Sequence, residues 1–287
     1  MNRIERNEKL IELALLVLAF SAVSILVVIT LFIFKEGTPI MFKYGFKNFL
    51  LGTDWYPTEQ SFGLLSMIIG SIMVTIGSLF IGIPFGLACA IFLTEFSTKR
   101  IRQIIKPIIE LLAGIPSVVY GFMGVIILVP FIRERFGGPG FSVLAASIIL
   151  GIMILPTIIS ISIDSLQAVP RSYREGSIAL GATKWQTTKM VTLPAAKSGI
   201  IASIILGMGR AIGETMATIM IAGNAVMIPH SILDPVRTLT SNIALEMGYA
   251  SGEHRQALFA TGVILFIIIM ILNTIANTTS AKGKAAK

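Results

Sequence analysis

Six long apolar runs constrain this chain more than any other feature. About 20 apolar residues in a helix match the ~30 Å hydrocarbon thickness of a bilayer. The runs are Leu13–Phe34, Phe62–Leu93, Ile108–Phe131, Phe141–Ile163, Ser198–Gly223 and Ala257–Thr274. In lipid every backbone amide must find an internal partner, so runs of this length cross as helices. Only 13% of the 287 residues are charged, against about 25% in soluble domains. The expectation is an all-α membrane protein with six transmembrane helices and no lengthy soluble domain between them. The second run exceeds one straight crossing, so it must tilt, bend at Pro84, or begin as an interfacial helix. Leu13–Phe34 is longer than the apolar core of a signal peptide and has no small-residue cleavage site directly after it. It reads as a retained first span, somewhat apart from the rest.

Basic residues set the orientation. The N-terminus, the loops after the second and fourth runs, and the tail together hold fifteen of the 23 Lys and Arg residues. The opposite loops hold seven, and Arg210 lies inside the fifth run. The positive-inside rule therefore puts both termini of this multi-pass cell-membrane protein in the cytoplasm. The +8 net charge follows mostly from that topology. No basic stretch with interleaved aromatics marks a nucleic-acid face, so no nucleic acid is expected as a partner. Cys89 is single and cannot form an intrachain disulfide. His230 and His254 fall in an outer loop without ligand-like spacing and read as solvated or rim histidines. No metal or cofactor is expected.

A polar segment, 164–197, interrupts the apolar pattern between the fourth and fifth runs. It contains Glu175-Gly176-Ser177, then Gly181, then Val191-Thr192-Leu193-Pro194. Pro170 suits a first helical position, where its missing N–H costs nothing. A helix over Arg171–Leu180 would end at Gly181, a residue free to take positive φ. Thr183 and Gln186 form a capping-box pattern for a second short helix, and Pro194 is expected to separate that helix from the fifth span. Ile178, Ala179, Leu180 and Trp185 then gather at the turn, rimmed by Arg171, Arg174 and Lys184, as in a docking knob. The competing reading is an amphipathic helix resting on lipid headgroups. No G-x4-G-K-[ST] run occurs, so the chain carries no P-loop for nucleotide phosphates. ATP-driven work would have to come from a partner, and the chain itself is expected to be non-catalytic.

Arg210 lies 12 residues past Ser198, roughly 18 Å along a helix and near mid-membrane. A charge there costs ~2.5–3.5 kcal/mol on insertion scales and normally faces protein or water. With Glu214 at i+4 on a continuous helix, the two would share a face. Gly209 and Gly213 form G-x3-G, which admits a close neighbouring helix. The pair reads either as a clamp between helices or as part of an anion path. Glu110 sits just inside the third run after Pro107, where an acid complements the helix dipole. That suits a structural role, with a place on the substrate path as the alternative. Pro116 breaks the ladder of the same run and frees a carbonyl. The outer stretch Asn224–Gln256 predicts a turn at Asp234-Pro235 and a short capped helix over Thr240–Met247. That helix is either a scoop for an outer protein or an interfacial helix on lipid.

The spacing E-[GS]-x3-G-x9-V-x-L-P resembles the EAA loop of bacterial ABC importer permeases. Gly176 and Ser177 replace two alanines, and Val191 replaces an isoleucine. Glu110 to Gly121, E-L-L-A-G-I-P-S-V-V-Y-G, and Gly209 to Ala217, G-R-A-I-G-E-T-M-A, look like the permeases of the Pst phosphate importer. Met216-Ala217, with Phe49-Leu50, Trp55-Tyr56-Pro57 and Phe62-Gly63, look like its C type more than its A type. The similarity runs from about Phe46 to the end of the sixth span. It implies a type I ABC importer permease fold with three regions. These are a first helix and outer loop over 1–61, a permease core over 62–280, and a cytoplasmic tail over 281–287. It implies as partners a second permease subunit, a dimeric cytoplasmic ATPase and an extracytoplasmic phosphate-binding protein. Arg210, Glu214 and Glu110 would line the substrate pathway, and Glu175, Leu180, Gly181 and Trp185 would couple to the ATPase. An A-type permease, or a permease for another oxyanion, remains the alternative. A secondary transporter needing no ATPase would leave the loop unused, and no two-half repeat supports one.

Overall fold

The computed structural model describes residues 3–285, and the last two residues of the 281–287 tail lie outside them. Helix α1 (Arg3–Tyr44) is followed by the short α2 (Phe46–Leu51) and a two-residue hairpin, β1 (Trp55–Tyr56) and β2 (Ser61–Phe62). The hairpin is antiparallel, pairing Trp55 with Phe62 and Tyr56 with Ser61. Then come α3 (Leu65–Ile91), α4 (Lys99–Gly114), α5 (Ser117–Met123), α6 (Val129–Phe136) and α7 (Val143–Gln167). The chain continues through α8 (Arg171–Ala179), α9 (Lys184–Thr187), α10 (Leu193–Gly213), α11 (Met216–Ile221), α12 (Leu239–Glu246) and α13 (Gly252–Ala285).

Among the described residues, six helical stretches are long and apolar enough to cross a membrane: Ile11–Tyr44, Leu65–Phe96, Ser117–Phe136, Val143–Gln167, Lys184–Gly213 and Gly252–Ile275. These agree in number with the six apolar runs. Three spans contain a π-turn, at Phe92–Phe96, Gly124–Leu128 and Thr188–Thr192. Pro84 stays inside α3, so the second span is one 32-residue helical stretch rather than a broken one. Pro194 does not separate α9 from the fifth span. The π-turn at 188–192 joins the two, and Pro194 falls in the opening positions of α10, directly after that turn.

Helix α7 is the central post, with 61% of its most apolar window buried. Its crossing with α3 is close because small residues face side chains across it. A Cβ on Gly82 would stand 2.6 Å from the Ile154 side chain, and one on Gly151 would stand 3.0 Å from Ile81 Cβ. Three of the apolar clusters among the described residues stack along the bundle. The middle one joins Val74, Leu150, Ile154, Ile158 and Ile221. One end holds Leu93, Ile109, Ile163, Leu166 and Ile200. The other holds Ile40, Phe49, Trp55, Phe62, Leu239 and Leu258.

Helix α1 stands apart, as its apolar run suggested. None of its most apolar window is buried, so that surface is free to meet lipid or another chain. Its later half leans on α13 through Phe32 against Phe259 and Phe34 against Phe266, both edge-to-face. Lys43 and Tyr44 then bond Glu253 on α13.

The end bearing the hairpin is tied by a buried carboxylate. Glu246 Oε1 accepts from Arg237 Nη1 at 2.7 Å, and Oε2 accepts from Trp55 Nε1 at 2.8 Å. His254 Nε2 also meets Oε2 at 2.8 Å. His254 therefore departs from the rim reading. It sits in the first turns of α13, packed against the Trp55 and Tyr249 rings. The expected helix over Thr240–Met247 is present as α12, capped by Thr238 Oγ1. Removing the carboxylate with Glu246→Ala leaves Arg237 without its buried counter-charge, a change that costs about 3 kcal/mol. Thermal unfolding of the detergent-solubilised protein should show a lowered Tm, with Glu246→Gln intermediate.

Candidate functional site

Two backbone breaks meet in the middle of the bundle. The first lies between α4 and α5. Ile115 and Pro116 are extended, with ψ of 127° and 141°. The carbonyl of Leu112, freed there, accepts from Tyr120 Oη at 2.9 Å. The expected break at Pro116 is thus present, but the third span begins only at Ser117. Pro107 lies inside α4 rather than at its start, because the helix begins eight residues earlier behind a Thr98 cap. Glu110 is accordingly on α4, a strongly amphipathic helix, and not on a membrane span. It is exposed. Among the described residues it has no ion pair with Arg210 or Glu214.

The second break falls between α10 and α11. The fifth apolar run was expected to be one helix carrying Arg210 and Glu214 on one face. Instead α10 ends at Gly213, and Glu214 is extended at φ −68°, ψ 129°. The shared-face geometry is lost, and no ion pair joins the two side chains among the described residues. Each charge now complements its own half-helix. Arg210 occupies the last turn of α10, at the negative dipole end. Glu214 Oε1 accepts from Ala217 N at 3.2 Å, at the positive end of α11. Arg210 is half-buried. Its Nη1 makes a long 3.5 Å contact with Thr157 Oγ1 of α7.

Hydroxyls close the gap in the backbone ladder. The Glu214 carbonyl accepts from Thr218 Oγ1 at 2.8 Å and Thr240 Oγ1 at 3.0 Å. The Gly213 carbonyl accepts from Thr215 Oγ1 at 3.2 Å. Non-helical backbone at this depth is tolerated where it is buried or lines a cavity. The half-helices beyond the breaks, α5 and α11, pack on each other. Gly121 allows this, since a Cβ there would stand 2.7 Å from Met220 Sδ and 3.1 Å from Ala217 Cα. The two segments that looked most specific in the sequence are therefore neighbours in space. Gly209 and Gly213 have open space where a Cβ would stand, so no helix among the described residues fills the G-x3-G face.

The 164–197 loop forms a second centre. Helix α8 ends at Ala179, and Gly181 takes φ +85°, as a C′ glycine should. Gly181 N bonds Ile178 O at 2.9 Å and Ala182 N bonds Ser177 O at 3.2 Å, the paired pattern of a Schellman motif. Thr183 and Gln186 make the complete capping box. Pro170 is the N-cap rather than the first helical residue, a one-position shift. Leu180 is 91% exposed at the turn, with Ile178 and Trp185 also open to solvent. Glu175 is exposed beside a cleft of about 600 Å³ lined by Glu95, Arg102, Gln167, Arg171 and Arg174. Glu95 and Arg102 escaped the reading of the sequence. A carboxylate ending an apolar run, opposite an arginine beside Glu175, was the available signal.

The arrangement defines the class: paired broken helices in the membrane and a capped helical knob at one end, with no nucleotide motif. The chain belongs to the family described as binding-protein-dependent transport system inner membrane component, whose model matches residues 82–282. It is 42% identical to a probable ABC transporter permease protein, YqgH, of Bacillus subtilis (strain 168), over 90% of this chain and 86% of that relative. It is 35% identical to the phosphate transport system permease protein PstC of Mesorhizobium japonicum, over 85% of this chain and 81% of that one. The PstC of Pasteurella multocida is 36% identical over 82% and 79%. Among solved structures, a bacterial alginate ABC transporter chain superposes with a TM-score of 0.62 at 17% identity, covering 98% of each chain. A chain of the inward-facing MetNI methionine ABC transporter gives 0.61 at 20%, covering 80% of this chain and 99% of that one. The fold is that of ABC importer permeases.

Proposed function

We propose that this chain is the C-type permease subunit of an ATP-driven phosphate importer. The carrying observation is the pairing of the two breaks beside Arg210 with similarity to PstC proteins across most of the chain. The chain pairs with a second permease, for which the open Gly209 and Gly213 face leaves room for close approach. A dimeric cytoplasmic ATPase binds the knob around Leu180, Gly181 and Trp185, with Glu175 beside it. An extracytoplasmic phosphate-binding protein delivers cargo at the α12 and hairpin end. This orientation rests on the fifteen-to-seven split of basic residues, which places both termini in the cytoplasm.

In this mechanism ATP closes the two ATPases, and the knob carries that movement to the second, fourth and fifth spans. The passage opens outward, and phosphate leaves its binding protein for a weak site at Arg210. The guanidinium suits this step through its permanent charge and its forked fit to phosphate oxygens. A tight site at mid-membrane would hold the anion and stall transport. Glu214 shapes the passage by fixing the start of α11. Glu110, exposed on α4, is the third residue proposed for the pathway.

The test is radiolabelled phosphate uptake into vesicles holding the purified complex. Uptake should require internal ATP and the loaded binding protein, and should persist when ion gradients are collapsed. Uptake that follows a proton or sodium gradient without ATP would overturn the proposal. Stimulation of the ATPase by a different oxyanion, and not by phosphate, would reassign the cargo.

A further inference from the structure

Helix α8 has no buried residue. Apolar packing therefore does not hold it against the spans, and its position depends on polar anchors. The principal anchor is Arg174. Its Nη2 donates to Glu95 Oε1 at 2.8 Å, and its Nε approaches both Glu95 oxygens at 3.3 and 3.4 Å. The same guanidinium donates through Nη1 to Val169 O at 2.8 Å and through Nη2 to Leu166 O at 2.7 Å. One side chain thus joins α8 to the end of the second span and the end of the fourth. The pair is sheltered, with side-chain exposures of 21% for Arg174 and 10% for Glu95. Charge-assisted, forked contacts of this kind fix direction as well as distance.

Glu95 itself is held firmly. It lies in the π-turn at Phe92–Phe96. Arg102 of α4 reaches that turn, donating to Leu93 O at 2.8 Å and Thr94 O at 2.9 Å. The next residue, Phe96, sets its ring 6.3 Å from that of Trp185 on α9. Both helices of the loop therefore touch the same turn, α8 through charge and α9 through aromatic contact.

We infer that the Glu95–Arg174 pair is the positioning element that carries movement of α8 to the second and fourth spans. This rests on the reading of the chain as an ATP-driven phosphate permease. The pair contacts neither cargo nor nucleotide. It sets the ratio of cargo moved to ATP spent, because an α8 free to swing would follow the ATPase without dragging the spans.

The test uses the complete complex, both permeases with the ATPase and the phosphate-binding protein, in proteoliposomes. Phosphate uptake and ATP hydrolysis are measured together. Glu95→Gln retains an oxygen acceptor but removes the charge. It should lower phosphate moved per ATP about tenfold. Co-purification of the ATPase should be unchanged, since the Leu180 tip is untouched. Glu95→Asp, which keeps the charge, should recover most of the ratio. Arg174→Lys keeps a charge but loses the fork, should give an intermediate ratio, and carries the same test if Glu95→Gln does not assemble. A ratio equal to wild type would overturn the inference, as would uptake and hydrolysis falling in equal proportion. A wild-type complex that fails to couple ATP to phosphate would overturn the transport reading itself. A coupled wild type with an unaltered Glu95→Gln ratio overturns the strut alone.

Discussion

Arg210→Gln is expected to reduce phosphate uptake by the reconstituted complex about 10- to 100-fold, the scale of losing charged hydrogen bonds worth ~1.5–3 kcal/mol. ATPase co-purification and Tm should stay near wild type, because Arg210 lies in the last turn of α10, at the opposite end of that helix from the loop, and bonds its surroundings through one long contact to Thr157. Glutamine is neutral and two atoms shorter, so it removes the charge while keeping a polar side chain with a hydrogen-bond donor. A clamp and a pathway residue then part company. Loss of a clamp lowers Tm together with uptake, whereas loss of a pathway charge lowers uptake alone. Arg210→Lys should recover part of the activity, since a compact ammonium keeps the charge but loses the forked geometry. Uptake by Arg210→Gln at the wild-type level would remove Arg210 from the passage. Glu214→Gln offers a contrast, because its amide oxygen can still accept from Ala217 N and keep the break intact.

Gly181→Val should abolish docking of the ATPase while sparing the membrane bundle. The backbone at 181 has φ +85°, a region costing an L-residue about 1–2 kcal/mol and a β-branched one more. A Cβ there meets nothing within 4 Å, so the penalty is conformational and stays in the turn. Losing the Schellman bonds would splay α8 from α9 and disperse the apolar tip around Leu180. Co-purification of the ATPase should fall at least about tenfold if a well-placed hydrophobic anchor worth ~2 kcal/mol is lost. Gly181→Asn, which tolerates positive φ, should retain most of it. Normal co-purification and uptake by Gly181→Val would dissociate the knob from energy coupling.

The contrast between these two centres explains what the sequence revealed. The knob was legible because its geometry is local. Gly181, Thr183 and Gln186 lie within six positions, and each acts through bonds inside that segment. The six spans were legible because length and apolarity are properties of one run at a time. The break at Glu214 was not legible in the same way. Gly-Arg-Ala-Ile-Gly-Glu-Thr reads as a helix by spacing, and an extended residue there becomes affordable only through partners elsewhere. Thr240, 26 positions onward, bonds its carbonyl. Glu110 was misplaced for a related reason. The apolar run after Pro107 is real, but it belongs to two helices divided at Pro116, so hydropathy merged an amphipathic helix with a span. The Glu95–Arg174 pair, separated by 79 positions, left only isolated charges to notice.

The hydroxyls at Glu214 also imply an order of assembly. Thr218 is four residues away and can bond the exposed carbonyl as soon as the fifth span forms. Thr240 comes from α12, which itself docks through Leu239 N on Ser71 Oγ of α3. The second bond therefore waits until a later-synthesised segment has folded back on an earlier one.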